Sequence, residues 1–254
     1  GPAETLTFEG RTVTTETVPI SIDSAKYAGE ADTPAARHAA TVLRAELGAP
    51  DIIVLGVDRL DYTKGIDQRL RAFETLLADR PDLRGKVVMV QVAVPSRQNV
   101  GEYQVIREQI ERIVGRINGA YGGSGWVPVH YYYRSLDHAE LMAHYMAADV
   151  MLVTPLRDGM NLVAKEYVAA RTGDTGTLVL SEFAGAAEEL KGATIVNPYD
   201  VDELAEALAA SIDSDRAEQR SAMRMLRRRV DRWDVHRWAA HCLESIEGVG
   251  EPAF

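Results

Sequence analysis

Short apolar runs alternate with longer amphipathic stretches over most of this chain, and that alternation is the feature that most limits its fold. The runs are rich in Val, Ile and Leu, whereas the stretches between them carry apolar residues three or four positions apart. Such runs are typical of strands buried on both faces, and such spacing is typical of helices. The pattern predicts six parallel strands, at residues 52–57, 87–92, 127–133, 150–153, 178–180 and 193–196.

The stretches between the runs predict the helices that connect parallel strands. After the last run, Asp200 is a suitable N-cap for a helical tail that continues to about residue 246. The expected fold is therefore α/β, a Rossmann-like parallel six-stranded sheet with helices on both faces and a helical C-terminal tail. The predicted crossover helices cover residues 67–77, 102–117, 137–147, 162–170 and 184–190.

Length and composition favour one domain. The chain has 254 residues, of which 46% are hydrophobic, enough for a single sizeable core. Residues 1–35 mix Thr, Glu and Ser with little periodicity, which predicts a linker or edge segment, and Gly1-Pro2 is typical of the remnant of a cleaved tag. Residues 36–254 are expected to form the Rossmann-like domain.

Charge and cysteine content exclude several classes of function. A formal net charge of -10 argues against nucleic acid or anionic membranes as partners, so an anionic ligand needs a local cluster of basic residues. The single cysteine, Cys242, allows neither an intrachain disulfide nor a four-cysteine zinc site. No run reaches the roughly 20 apolar residues of a membrane span, and no secretory signal is present, so we expect a soluble cytoplasmic protein.

Two cations follow the first predicted strand. In an open parallel sheet, ligands bind beyond the carboxyl ends of the strands. Arg59 and Lys64 lie five residues apart in such a loop, and together they could neutralise a diphosphate. The alternative is a solvated loop in which both pair with Asp58 and Asp61.

The loop after the fourth strand carries the most informative segment, residues 154–166. Gly159 permits a tight turn, and the N–H groups at the start of the following helix could bind a phosphate. Asp158 could accept hydrogen bonds from sugar hydroxyls, and Glu166 could reach a ribose diol. The alternative is an ordinary helix start with Asp158 as its cap.

Other candidate motifs are weaker. Arg97, after the second strand, could hold a second anion or be a surface arginine. Two Asp-x-Asp motifs, at residues 200–202 and 213–215, suggest a metal, but both lie at predicted helix starts, where acidic residues are favoured anyway. Residues 224–237 are basic but interleaved with apolar residues, which favours a packed helix with a solvated basic face. No P-loop or Gly-x-Gly-x-x-Gly motif indicates an NTPase or a nicotinamide enzyme.

Several of these segments, in this order, closely resemble the C-terminal half of trehalose-6-phosphate synthases, over residues 15–246 or so. The resemblance implies half of a GT-B fold and transfer of glucose, with retention, from a nucleoside-diphosphate glucose to glucose 6-phosphate. It implies neither a cofactor nor an essential metal, and leaves the donor open between UDP-, GDP- and ADP-glucose. The matching motifs are residues 56–65, 115–119, 154–169, 181–186 and 195–200.

The resemblance also implies residue roles. Arg59 and Lys64 would hold the donor diphosphate, Arg97 the acceptor phosphate, and Leu136 with its neighbour Ser135 the base. Arg59, Lys64 and Asp158 would be the catalytic residues. The remaining donor contacts would come from Asp158, Gly159, Met160, Asn161, Leu162, Val163 and Glu166.

The chain departs from the family by lacking the first GT-B domain, which would bind most of the acceptor. We therefore expect weak nucleotide binding and little transferase activity from this chain alone. We also expect partly exposed apolar residues on the last helix, which could drive homo-oligomer formation. Two alternatives remain open: a non-catalytic nucleotide-sugar-binding module, and a retaining GT-B transferase with another acceptor.

Overall fold

The computed structural model describes residues 4–96 and 101–247, and in them a six-stranded parallel sheet lies between two layers of helices. The expected fold class and all six expected strands are confirmed. The strands are β1 (Glu4–Phe8), β2 (Arg11–Thr15), β3 (Ile52–Arg59), β4 (Val87–Val94), β5 (Val129–Tyr132), β6 (Val150–Val153), β7 (Thr177–Ser181) and β8 (Thr194–Val196). The helices are α1 (Ser24–Ala31), α2 (Pro34–Glu46), α3 (Ile66–Asp79), α4 (Gly101–Tyr121), α5 (His138–Ala147), α6 (Leu162–Ala170), α7 (Val201–Asp213), α8 (Arg216–Arg232) and α9 (Val235–Glu247).

The strand order of the main sheet is β5-β4-β3-β6-β7-β8, and every pair in it is parallel. The chain builds the sheet outward from β3 in one direction and then from β6 in the other. The strand order therefore reverses between β3 and β6, and a crevice is expected beyond their carboxyl ends. The loops that follow β3 and β6 are neighbours at that crevice.

Alternate residues of each central strand enter two separate cores. In β3, Ile53, Leu55 and Val57 pack with α1, α2, α5, α6 and α8, whereas Val54 packs with α3, α4 and α7. Since side chains alternate across a strand, a strand covered on both faces must be apolar at every position. This double burial explains the continuous apolar runs in the sequence.

A buried arginine ties three strands together beneath the crevice. The Arg69 side chain on α3 is fully buried, and its Nη1 donates to Asp58 at 2.6 Å and to Gln91 at 2.9 Å. Its Nε donates to the Thr154 hydroxyl at 3.0 Å. Burial raises the pKa of the Asp58 carboxyl, and the adjacent guanidinium opposes that change. A Cβ on Gly56 would lie 2.3 Å from Nη1, so only glycine leaves room for this arrangement.

The N-terminal residues, expected to be a linker or edge segment within residues 1–35, contain a hairpin and a helix. Strands β1 and β2 pair antiparallel around a turn at Glu9 and Gly10, whose positive φ angles match the twist of a two-residue hairpin. Helix α1 begins at the N-cap Asp23 and buries Ala31 completely. Sequence periodicity missed both elements because β1 and β2 are exposed along their whole length and α1 is only eight residues long.

The predicted helical tail is three helices rather than one. Asp200 caps α7 as expected, and Asp215 caps α8, so each Asp-x-Asp motif supplies a helix cap. Helix α9 is held to the N-terminal segment, where the Val235 N–H donates to the Ile22 carbonyl at 2.9 Å and the Trp238 indole donates to the Val18 carbonyl at 3.3 Å. Leu243 is 61% exposed, in agreement with the expectation for the last helix.

The predicted crossover helix at residues 184–190 is wrong. Only a short 3₁₀ turn, Gly185–Glu188, forms there. The backbone N–H groups of Gly185 and Ala186 donate to carbonyls of the loop after β6. Within the described ranges, none of the helices combines the length and apolarity needed to cross a bilayer.

We expect Arg69→Met to lower the free energy of unfolding by about 3–5 kcal/mol, because it leaves the Asp58 carboxylate buried without its partner. Arg116→Met is the matched control, since Arg116 pairs with Glu74 at the surface and should cost less than about 1 kcal/mol. Denaturant unfolding measures both. Equal losses in the two variants would contradict a special role for the buried pair.

Candidate functional site

The loops after β3 and β6 touch along their backbones. The Thr63 carbonyl accepts the N–H of Leu156 at 2.7 Å and that of Arg157 at 3.4 Å. Gly65 has a φ of +63°, and a Cβ there would lie 2.3 Å from the Thr154 carbonyl oxygen. Glycine is therefore required both by the left-handed turn and by the close approach. The candidate residues of the two loops are brought to one place.

Lys64 and Asp158 form the direct contact between the two loops. Their Nζ and Oδ2 atoms lie 2.7 Å apart, and both side chains are mostly shielded from solvent. The alternative, in which Lys64 pairs with Asp58 or Asp61, is wrong, because Asp58 binds Arg69 and Asp61 caps the short 3₁₀ turn that contains Lys64. The structure thus places a cation beside the carboxylate that is the candidate sugar ligand.

Arg59 lies at the end of β3 and is exposed. Within the part of the chain that the structure describes, its guanidinium makes no hydrogen bond or ion pair, so its donors can reach an added anion. The nearby Asp61 remains a carboxylate. Burial raises its pKa, but hydrogen bonds from Thr63 and Tyr103, together with the charge of Arg59, bring that pKa below its usual value.

Asn161 is the N-cap of helix α6 and lies beyond the carboxyl end of β6. The residue has a φ of 79°, and its Oδ1 accepts the Ala164 N–H at 3.1 Å. The alternative in which Asp158 caps this helix is therefore wrong. Asp158 instead accepts from the Met160 N–H at 3.4 Å and from the Asn161 Nδ2 at 3.1 Å. No side-chain cap for the N–H groups of Leu162 and Val163 is present among the described residues.

The loop after β7 braces the Asp158 segment from its other side. The Asp158 N–H donates to the Phe183 carbonyl at 3.1 Å, and the Asp158 carbonyl accepts from Gly185 at 3.0 Å. The Met160 carbonyl accepts from Ala186 at 2.8 Å. The sequence reasoning gave residues 181–186 no role, although they belong to a motif shared with the resembled family. Backbone pairing of this kind leaves no side-chain pattern that could have predicted it.

Glu166 lies on the first turns of α6 and accepts a hydrogen bond from the Tyr145 hydroxyl at 2.7 Å. Burial and the Glu166 charge together raise the pKa of Tyr145 and that of Tyr27 above their ordinary values. Both tyrosines therefore remain protonated donors that orient the carboxylate. Sequence reasoning missed them, because aromatic residues at helical spacing are typical of a core.

Three further candidates, Leu136, Gly159 and Met160, lie in the loops after β5 and β6. Leu136, in the loop after β5, is half-buried against the core that contains α6. Gly159 is exposed at the tip of its loop, with Met160 half-buried beside it. Arg97 lies outside the described residues, so its assignment to an acceptor phosphate stays a prediction.

The arrangement suits a ligand that joins a phosphate to a polar ring. The Lys64 ammonium has three donors and uses one on Asp158, so two remain for phosphate oxygens. The start of α6 adds backbone N–H groups and the positive end of a helix dipole. The Asp158 carboxylate retains acceptor capacity for a hydroxyl, since two oxygens offer about four lone-pair positions.

Comparison with known proteins points to one family. The model of glycosyltransferase family 20 matches residues 2–248. The trehalose-6-phosphate synthase of Mycolicibacterium smegmatis is 53% identical over 241 residues, which covers 95% of this chain and 48% of that protein.

Solved structures agree with that match. A UDP-forming α,α-trehalose-phosphate synthase from Burkholderia xenovorans, in complex with glucose-6-phosphate, superposes with a TM-score of 0.92 at 40% identity, covering 96% of this chain and 54% of its own. An E. coli structure described as trehalose-6-phosphate bound with UDP-2-fluoro glucose gives 0.89 at 42% identity, covering 96% and 55%. The chain spans about half the length of the relatives it matches, and over nearly all of its own length it belongs to glycosyltransferase family 20.

Proposed function

We propose that this chain is the donor-binding half of a retaining glycosyltransferase that transfers glucose from a nucleoside-diphosphate glucose to glucose 6-phosphate, giving α,α-trehalose 6-phosphate. The single observation that carries the proposal is the 2.7 Å contact between Lys64 and Asp158. In that contact a cation that could bind phosphate lies next to a carboxylate that could accept from a hydroxyl, and a nucleotide sugar carries both groups. Family membership and the ligands in the names of the Burkholderia and E. coli structures support the same substrates.

In the proposed reaction, negative charge moves onto the leaving group. The bond between the anomeric carbon and the diphosphate oxygen breaks, and its electron pair stays on the diphosphate. The acceptor hydroxyl forms its new bond on the same face of the sugar, and its proton passes to the departing phosphate oxygen. Arg59, Lys64 and the start of α6 would stabilise the growing charge electrostatically, and no side chain has to act as a base.

Position in the fold supports the roles of the remaining donor residues. Glu166 is held by Tyr145 and Tyr27, and its two oxygens, with about four lone-pair positions, keep acceptor capacity for a ribose diol. Asp158, Gly159, Met160 and Asn161 would surround the glucose, and Leu136 the base. We propose no metal in this step, because the leaving diphosphate already has two cationic side chains and a helix start to bind it.

We expect Arg59→Ala with Lys64→Ala to weaken binding of a nucleoside diphosphate by about 100-fold or more, because charge-assisted hydrogen bonds contribute about 1.5–3 kcal/mol each. Calorimetry against UDP, GDP and ADP measures the loss and identifies the preferred base. The control removes the same two charges elsewhere, with Lys86→Ala and Arg116→Ala, both exposed and away from the crevice. If no nucleoside diphosphate binds the wild type, or the site variant binds as tightly, the proposed site is wrong.

We expect the purified chain alone to form little or no trehalose 6-phosphate from a nucleoside-diphosphate glucose and glucose 6-phosphate, because positioning of both sugars is needed for transfer. Detection of the product by mass spectrometry is the measurement, with the full-length Burkholderia xenovorans relative as positive control. Robust product from the chain alone would contradict this expectation.

A further inference from the structure

One cavity formed by the described residues lies away from the donor site. A groove of about 580 Å³ runs between α8 and the segment that joins β7 to β8. Leu226 and Met225 supply its apolar part, and Glu189 is the one carboxylate in its lining. Five cations line the rest, here named the basic groove: Lys191, Arg224, Arg228, Arg229 and Arg232.

The carboxylate in the lining does not cancel the charge of the basic groove. Glu189 already accepts a hydrogen bond from the buried ammonium of Lys165 at 2.8 Å, and both side chains are almost completely shielded from solvent. Arg229 approaches the same carboxylate only to 3.8 Å. One negative charge is therefore shared between two positive ones, and the second of these lines the groove.

The arginines of the groove have few other partners. Arg224 contacts Asp174 at 3.2 Å, but that carboxylate also binds Arg227 at 2.9 Å. The guanidinium groups of Arg228 and Arg232 have no acceptor within the described ranges. Their donors are therefore available to a ligand that enters the groove.

The spacing of the arginines along α8 brings like charges close to one another. Arg224, Arg228 and Arg232 follow one another at intervals of four, which places them on one face of the helix. Like charges at that interval destabilise a helix, and an anion bound between them would relieve the repulsion. A merely solvated basic face, as the sequence analysis favoured, does not account for cations gathered around a concave surface.

We propose that the basic groove is a second ligand site, which binds a small molecule with two or more phosphate groups. Guanidinium forks bind phosphate oxygens in pairs, and a cavity of this volume falls in the range of small-molecule sites. A small ligand is favoured over nucleic acid because the chain carries a net charge of -10, which repels an extended polyanion beyond the groove. The site is independent of the proposed donor site.

Inorganic pyrophosphate is the probe, and calorimetry in the Arg59→Ala, Lys64→Ala background removes its binding to the donor site. We expect pyrophosphate to bind that background protein, and we expect further substitution of Arg228→Gln and Arg232→Gln to weaken binding at least about tenfold. Lys86→Gln with Arg116→Gln, added to the same background, controls for net charge and should leave the affinity unchanged. Thermal unfolding of each variant establishes that it is folded.

Three results would overturn the proposal: no pyrophosphate binding to the background protein, equal binding after Arg228→Gln and Arg232→Gln, or a short single-stranded RNA that competes at lower concentration than pyrophosphate. Binding of UDP to the otherwise unaltered chain carrying Arg228→Gln and Arg232→Gln separates the two sites. That affinity should match wild type if only the groove is disrupted. A failure of the donor site would appear instead as UDP binding that is insensitive to Arg59→Ala and Lys64→Ala.

Discussion

The buried pair of Arg69 and Asp58 is the interaction on which the geometry of the candidate site depends. It joins α3 to β3, and the same guanidinium reaches Gln91 on β4 and Thr154 at the end of β6. A charge with no exposed surface can persist only if its partners are fixed, because any displacement leaves an unpaired ion in a low dielectric. The strands beneath both loops are thereby held in register, and the loops start from a rigid base.

The contact between Lys64 and Asp158 then determines which charges the site presents to a ligand. The two charges largely neutralise each other, so the net positive charge of the site lies at Arg59 and at the start of α6. A diphosphate would draw the Lys64 ammonium toward its oxygens while Asp158 turns its free lone pairs to a hydroxyl. Because both side chains already lie in the crevice, that change is local, and charged groups held close to their final positions favour electrostatic stabilisation.

Sequence patterns predicted the parts of this molecule that burial on two faces dictates. The strands β3 to β8 and the helices α3 to α6 follow from such patterns, and the meeting of the two loops follows from the strand order. Two contacts were not predicted. Asn161 rather than Asp158 caps α6, and Tyr145, which lies on another helix, orients Glu166. The start of helix α2 could have been predicted from Thr33, an N-cap residue followed by a proline in the first turn. The exposed strands β1 and β2 have no such sequence pattern.

Helix α6 contributes to the donor site through Asn161, and through Lys165 it contacts Glu189 in the lining of the basic groove. One end faces the crevice through Asn161, and Lys165, one turn further, is buried and donates to Glu189 and to the Ile20 carbonyl. Burial lowers the pKa of Lys165, and the hydrogen bond to the Glu189 carboxylate opposes that change. If Lys165 were neutral, Glu189 would be free to pair fully with Arg229 and would reduce the positive charge of the groove. The buried lysine that fixes α6 in the core is thus also the reason that the groove remains positively charged.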